Sequence, residues 1–229
     1  LNFALNAVNW DEIKMMPGLV KALGGNALRV FPVNTYDEAI EDDMGLGRDK
    51  QRQYGAIGRE VEAMAAAALE GFGRIDAVFA NAGFGAKRGY LEESPEHWRS
   101  MVLTNVYGAA LTIRATLPHL LERGDGHFLI TSSVAGRRAL PGSLYSATKH
   151  AVTAIGEGLR AELRQMHDNT AIKVTLIEPG MTDTPFFEQS PGETALRDED
   201  IAAAVIYALE QGPGVDVNEI LIRPTSQPT

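Results

Sequence analysis

The sequence of 229 residues contains no cysteine. This absence excludes disulfide bonds, thiolate metal sites and a cysteine nucleophile, and it is typical of a protein from a reducing compartment. Long hydrophobic runs are also missing, because the longest apolar-rich run, at 63–69, is far shorter than the roughly 20 residues of a membrane-spanning helix. The first residues lack the basic and apolar regions of a secretory signal. We therefore expect a cytoplasmic protein that does not span a membrane.

Basic residues are fewer than acidic ones, at 21 against 30, and the formal net charge is -9. The electric field of such a protein repels nucleic acid and anionic lipid, so we expect neither as a partner. A dinucleotide is not excluded, because local backbone N–H groups and one or two side chains can hold a small anion. The sequence predicts no metal site.

Short aliphatic runs alternate with longer amphipathic segments through the last two-thirds of the chain. This alternation predicts an α/β domain in which helices cover both faces of a parallel sheet. The strands are predicted at 75–80, 126–131, 173–178 and 219–223. The helices are predicted at 59–71, 94–123, 145–167 and 198–211.

The first 58 residues are less regular. Residues 1–8 and 27–33 are candidate strands, and 11–23 is a candidate helix interrupted by Pro17, which together would form one βαβ unit. The polar stretch at 45–55 has no apolar periodicity and is predicted to be a loop or an irregular helix.

A phenol and an ammonium group lie four residues apart, as Tyr145 and Lys149, in a segment predicted to be helical. Residues four apart lie on the same face of a helix. Ser132 and Ser133 follow the predicted strand at 126–131. In a parallel sheet, ligands bind beyond the carboxyl ends of the strands, so these serines are candidate site residues.

Further candidates occupy the same end of the predicted sheet. They are Asn81, Ala82 and Gly83 after one strand, Pro179 and Gly180 after another, and Asn105 within the long helix. Because the carboxyl ends of parallel strands meet at one edge, we expect all of these residues to converge there.

The order Asn-Ala-Gly, Asn, Ser, Tyr-x-x-x-Lys and Pro-Gly resembles the short-chain dehydrogenase/reductase family, over about residues 59–229. The resemblance implies a Rossmann-like, doubly wound parallel sheet in a single domain, and NAD(P)-dependent interconversion of an alcohol and a carbonyl compound. Residues 217–224 are similar to the ending of a branch that acts on small hydroxy acids, often with NADP. The implied cofactor is NADP or NAD, with NADP favoured, and the implied substrate is a small alcohol or carbonyl compound.

The resemblance gives four side chains a catalytic role. Tyr145 would be the acid/base, and Lys149 would stabilise its phenolate, so we expect the pKa of the phenol to lie below the usual value of about 10. Ser133 would orient the substrate oxygen, with Ser132 as the alternative. Asn105 would hold a water on a proton path from Lys149 to solvent.

The resemblance also implies the surroundings of cofactor and substrate. The predicted cofactor contacts are Asn81, Ala82, Gly83, Tyr145, Lys149, Pro179, Gly180, Thr182 and Thr184. The predicted substrate contacts are Ser133, Tyr145, Phe186 and Phe187. Residues 185–200 are predicted to form a substrate lid.

The Thr-Gly-x-x-x-Gly-x-Gly turn that this family carries after its first strand is missing. That turn supplies close backbone approach and a helix N-terminus for the pyrophosphate. The nearest substitute, Gly45 and Gly47, follows Asp42 and Asp43, whose charge would repel phosphate. Alternatively, residues 1–33 supply the second strand, its helix and the third strand, and the first βα unit is missing or replaced.

Proteins with two other functions could have the implied fold. Halohydrin dehalogenases resemble the family but have arginine at the position of Lys149, which argues against that activity here. A scaffold or regulator that kept the fold without the cofactor is the alternative function. The family expectation is a homodimer or homotetramer formed through the long helices at 96–123 and 145–167.

Overall fold

The computed structural model describes residues 3–7, 28–32, 48–184, 186, 192 and 194–227, with only the backbone for residues 3–7, 28–32, 48–58 and 60. The strands are β1 (Phe3–Ala7), β2 (Leu28–Pro32), β3 (Ala77–Ala80), β4 (Gly126–Thr131), β5 (Ile172–Pro179) and β6 (Glu219–Ile222). The α-helices are α1 (Arg48–Phe72), α2 (Pro95–Val102), α3 (Ala109–Arg123), α4 (Leu144–Gln165) and α5 (Asp198–Leu209). None of these helices is both long and apolar enough to cross a membrane.

The six strands form one parallel sheet in the order β2-β1-β3-β4-β5-β6. The chain proceeds outward from β1 to β2 in one direction and from β3 to β6 in the other. The strand order therefore reverses between β1 and β3, which is the kind of switch point where open α/β sheets bind ligands. The predicted doubly wound α/β fold is confirmed.

The two faces of the sheet carry separate hydrophobic cores. Phe128 and Ile130 of β4 pack with residues of α1, α3 and α4, whereas Leu129 between them packs with residues of α5. Successive side chains of a strand point to opposite faces, so an unbroken aliphatic strand such as β4 serves both cores. Because both faces of β4 are buried, packing fixes the position of its carboxyl end relative to α4.

Two predicted segments differ from the structure. Helix α1 begins at Arg48 rather than at Arg59, so of the loop and the irregular helix predicted for 45–55, the helix is correct from Arg48 onwards. The stretch is rich in Arg, Lys and Gln, which favour helix without requiring an apolar period. Helix α5 begins at Asp198, so the last three residues of the predicted lid are helical, with Asp200 accepting a hydrogen bond from the N–H of Arg197.

The long helix predicted after residue 94 is interrupted. Ser94 caps α2, because its hydroxyl accepts the N–H of His97 at 3.1 Å and proline follows at the first helical position. A π-helical turn, Leu103–Gly108, then separates α2 from α3. Such turns insert an extra residue into a helix and are frequent at functional sites.

The predicted helix at 11–23 and the glycines at 45 and 47 lie outside the described residues. Both β1 and β2 precede these glycines along the chain, and no glycine occurs between the end of β1 and Gly18. The β2-β1-β3 order agrees with one of the two interpretations of the N-terminal region, in which residues 1–33 supply the second and third strands of a three-strand half.

Candidate active site

The carboxyl ends of β3, β4 and β5 bring the predicted site residues to one edge of the sheet. Ala80 of β3 pairs with Ile130 of β4, so Asn81 and Ser132 begin neighbouring loops. The hydroxyl of Thr131 donates to Oδ1 of Asn81 at 2.7 Å and ties the first two strand ends together. The structure therefore brings the residues that follow β3 and β4 together, while their roles stay predictions.

Helix α4 carries Tyr145 in its first turn and Lys149 one turn later. The hydroxyl of Ser143 caps the helix by accepting the N–H of Ser146 at 3.1 Å. The ammonium nitrogen of Lys149 lies 5.8 Å from the centre of the Tyr145 ring, and the phenol shares a hydrogen bond with Ser133. Phenol, hydroxyl and ammonium therefore form one cluster.

The pKa of Tyr145 differs in direction from the sequence-based expectation. Burial of the phenol raises its pKa to about 12, and the hydrogen bond with Ser133 opposes this rise without cancelling it. Removing an ionisable group from water disfavours its charged form, and here that effect exceeds the stabilisation of the phenolate. Tyr145 is therefore protonated at neutral pH.

Lys149 is a buried ammonium group, with 3% of its surface exposed. Its Nζ donates a hydrogen bond to the backbone carbonyl of Thr131 at 2.9 Å, so the charge is anchored at the end of β4. A Cβ added at Gly83 would lie 3.3 Å from this nitrogen and 3.1 Å from Oδ1 of Asn105. Glycine at position 83 lets the strand-end backbone approach both polar groups closely.

Asn105 is almost completely buried, at 1% exposure, within the π-helical turn. Its Oδ1 accepts the N–H of Phe84 at 3.0 Å, while its Nδ2 donates to the carbonyl of Phe84 and to the hydroxyl of Thr148. Both amide hydrogens are thus used to join the loop after β3 to helix α4. The expected water on a proton path through Asn105 stays a prediction, and the structure adds a positioning role for its amide.

The two serines after β4 have different surroundings. Ser133 begins the 3₁₀ turn Val134–Gly136, accepts the N–H of Ala135 at 3.1 Å, and donates to the carbonyl of Pro179 at 3.3 Å. Ser132 points to the other side, where its hydroxyl donates to the carbonyl of Lys149 at 3.0 Å. Only Ser133 contacts Tyr145 in this way, which favours Ser133 over Ser132.

A buried polar network lies beside the cluster, on the side to which Ser132 points. The hydroxyl of Ser132 lies 2.8 Å from that of Thr153, which in turn donates to Glu178 at 3.5 Å. The carboxylate of Glu178 has no exposed surface, and it accepts hydrogen bonds of 2.9 and 2.8 Å from Nε of Arg137. Burial raises the pKa of Glu178, while Arg137 opposes the rise. A buried carboxylate needs such a partner, and the network joins β4, β5 and α4.

The residues after β5 form the remaining side of the site. Thr182 is buried and its hydroxyl donates to the carbonyl of Gly180 at 3.2 Å, while Thr184 accepts the N–H of Phe186 at 3.4 Å. The ring of Phe186 packs against that of Tyr145, with 5.6 Å between their centres. The predicted contact Phe187 lies outside the described residues.

Sequence reasoning missed several residues that hold the cluster or the turn after β5 in place. They are Phe84, Thr131, Gly136, Arg137, Thr148, Thr153, Glu178 and Gln227. Thr148 lies within Tyr-x-x-x-Lys and could have been considered, but the others act through backbone groups or through distant partners. Throughout the described part of the chain, no three His, Cys, Asp or Glu side chains form a metal site.

The sheet order and the cluster at its carboxyl edge define an α/β protein of the doubly wound class. Residues 56–194 match the family model of the short-chain dehydrogenases. An uncharacterised oxidoreductase from Staphylococcus epidermidis is 39% identical over 167 residues, which cover 72% of this chain and 71% of that protein. Mouse dehydrogenase/reductase SDR family member 11 is 39% identical over 172 residues, covering 68% of this chain and 65% of that protein.

Solved structures show the same relationship. An alcohol dehydrogenase from the archaeon Thermococcus sibiricus, complexed with 5-hydroxy-NADP, has a TM-score of 0.74 at 25% identity, covering 98% of this chain and 86% of that one. A serine dehydrogenase from Escherichia coli has a TM-score of 0.71 at 25% identity, with 99% of this chain and 88% of that one covered. The chain belongs to the short-chain dehydrogenase family of oxidoreductases.

Proposed function

We propose that this protein interconverts an alcohol and a carbonyl compound with NADP or NAD, and that Tyr145 transfers the proton. The observation that carries this proposal is the cluster at the carboxyl edge of the sheet, in which the phenol of Tyr145 hydrogen-bonds Ser133 beside the buried ammonium of Lys149. A nicotinamide cofactor is supported by the Thermococcus sibiricus alcohol dehydrogenase, whose structure contains 5-hydroxy-NADP. That complex and the C-terminal resemblance both favour NADP.

The residues around the strand ends fit the nicotinamide and ribose part of such a cofactor. Lys149 and Asn81 offer polar groups beside the close backbone approach at Gly83, and they would hold the ribose together with Ala82. Pro179, Gly180, Thr182 and Thr184 would hold the nicotinamide ring and its carboxamide. A bound nicotinamide would supply or accept the hydride, and the protein's own side chains would move the proton.

We assign proton transfer to Tyr145 because its phenol hydrogen-bonds Ser133, which would bind the substrate oxygen. Reduction of a carbonyl needs a protonated donor, and the raised pKa of Tyr145 keeps the phenol in that state at neutral pH. Oxidation of an alcohol needs the phenolate, which the ammonium of Lys149 would stabilise. Ser133 would bind the substrate oxygen, in reach of both the phenol and the carbonyl of Pro179.

The ring of Phe186 gives the substrate side of Tyr145 an apolar wall. This contact supports an apolar group next to the reacting carbon, and Phe187 is proposed as a further substrate contact. The segment from 185 to the start of α5 is proposed as the substrate lid. Assembly into a homodimer or homotetramer through helices α2, α3 and α4 remains our proposal for this chain.

A cofactor-free scaffold is the second candidate function. It is favoured by one feature, the lack of any glycine between Ala7 at the end of β1 and Gly18, in a family that places phosphate-binding glycines after its first strand. The catalytic cluster argues for the enzyme, because a scaffold would gain nothing from a buried ammonium beside a phenol.

Turnover is tested with a panel of small alcohols, hydroxy acids, ketones and aldehydes, each with NADP or NAD in the appropriate redox state. We expect a change in nicotinamide absorbance with at least one pair. The rate of oxidation should rise with pH as the phenolate of Tyr145 becomes populated, whereas the rate of reduction should not rise. A reduction rate that increases with pH in parallel with oxidation would contradict Tyr145 as the proton donor.

A further inference from the structure

The turn after β5 is held by backbone hydrogen bonds on two sides. The N–H of Gly180 donates to the carbonyl of Ile222 at 2.7 Å, which continues the pairing of β5 with β6. On the other side, the N–H of Leu196 donates to the carbonyl of Met181 at 2.9 Å, and the N–H of Asp183 donates to the carbonyl of Leu196 at 2.7 Å. These bonds leave the N–H of Met181 to be satisfied from elsewhere.

The side chain of Gln227 supplies that partner. Its Oε1 accepts the N–H of Met181 at 2.9 Å, although the two residues are 46 positions apart. The N–H of Gln227 donates to the carbonyl of Pro224 at 3.0 Å, and Pro224 is buried, so the C-terminal segment folds back in a defined turn. A Cβ at Gly180 would collide with the oxygen of Gln227, which shows how closely the two segments approach.

The same C-terminal segment also contacts the residues that precede α5. The hydroxyl of Ser226 donates to the carbonyl of Thr194 at 3.3 Å, two residues before the bridge between Thr182 and Leu196. Residues 226 and 227 therefore contact both of the segments that this bridge joins. Neither residue contacts Tyr145, Ser133 or Lys149 among the described hydrogen bonds.

We propose that Gln227 is a positioning residue for the cofactor site, and that it acts by fixing the turn from Gly180 to Thr184. This inference rests on the proposed function, because that turn carries the residues assigned to the nicotinamide. Loss of the Gln227 acceptor leaves the N–H of Met181 without its partner and loosens the turn. The proton-transfer cluster stays in place, because α4 and β4 hold it independently.

The expected consequence is a separation between binding and chemistry. In Gln227→Ala, we expect KM for the cofactor to rise about five-fold, as for the loss of one partly buried hydrogen bond, with kcat within about two-fold of the wild type. Gln227→Glu keeps an acceptor oxygen at the same position and should restore the KM. Gln211→Ala is the matched control. It also removes a glutamine hydrogen bond to the backbone, from Gln211 to the carbonyl of Tyr207, but at the end of α5, near the start of β5 and away from the turn after it.

Amide hydrogen exchange on the cofactor-free protein provides a readout that does not depend on activity. We expect the N–H of Met181 to exchange about five-fold faster in Gln227→Ala, and at the wild-type rate in Gln227→Glu and Gln211→Ala. Unchanged exchange in Gln227→Ala would overturn the proposal. Faster exchange together with an unchanged KM would overturn it too, because the turn would then be irrelevant to the cofactor.

The proposed function can fail separately. A wild-type chain that binds neither NADPH nor NADH would overturn the dehydrogenase proposal and, with it, the cofactor role of Gln227. The exchange experiment would still decide whether Gln227 fixes the turn.

Discussion

Replacing Tyr145 with phenylalanine should lower kcat by about a thousand-fold while leaving the dissociation constant of the cofactor within about two-fold of the wild type. The substitution removes only the phenolic oxygen. The aromatic ring that packs against Phe186 remains, and Ser133 keeps its hydrogen bonds with Ala135 and Pro179, so the fold and the cofactor site should be preserved. Steady-state rates and a cofactor titration on the same preparation measure both quantities.

The matched control for this substitution is Tyr207→Phe. Tyr207 is exposed on α5 and loses the same atom, so turnover should be unchanged. A Tyr145→Phe variant that retains kcat within about ten-fold would remove Tyr145 from its role as the proton-transfer group, because general acid–base catalysis typically contributes more than that.

Replacing Gly136 with alanine should destabilise the protein by about 2 kcal/mol or more and reduce turnover about ten-fold. An added Cβ would lie 2.5 Å from the hydroxyl of Ser132, 2.8 Å from the backbone carbonyl of Lys149 and 2.9 Å from the hydroxyl of Thr153. The backbone carbonyl cannot rotate away, so the 3₁₀ turn must move away from α4. Ser133 begins that turn, and it would move away from Tyr145.

Gly158→Ala separates this steric effect from the general effect of removing a glycine. Gly158 lies in α4, is exposed, and has no atom within 4 Å of an added Cβ. Alanine there should stabilise the helix by about 0.5–1 kcal/mol and leave turnover unchanged. Thermal unfolding should therefore shift downward for Gly136→Ala and upward for Gly158→Ala. A Gly136→Ala variant with wild-type stability and turnover would contradict the close packing of the turn against α4.

Much of the fold and part of the candidate site could be predicted because both depend on local sequence. The aliphatic runs identified β3 to β6, and the helix predicted from residue 94 begins one residue later, as α2. The spacing of Tyr145 and Lys149 placed both on one helix face, whereas the preference for Ser133 over Ser132 came from the family resemblance.

The remaining features depend on contacts between distant segments. The amide of Asn105, in the π-helical turn, hydrogen-bonds the backbone of Phe84, which is 21 residues away. No local sequence pattern predicts this turn. The pKa of Tyr145 was expected to fall because charge was considered without burial, and burial exceeds the other contributions. The contact between Gln227 and Met181 likewise depends on how β5 and β6 pair.

Titration of the purified protein with NADPH and with NADH, followed by nicotinamide fluorescence, is the most direct test of a nicotinamide site at the carboxyl edge of this sheet. We expect saturable binding of at least one of the two. Lys149→Met should bind it more weakly than the control Lys173→Met, because Lys149 lies at the carboxyl edge of the sheet and Lys173 lies near the start of β5, at the other edge. Absence of binding by either nucleotide at high micromolar protein would contradict the dehydrogenase function and favour the cofactor-free scaffold.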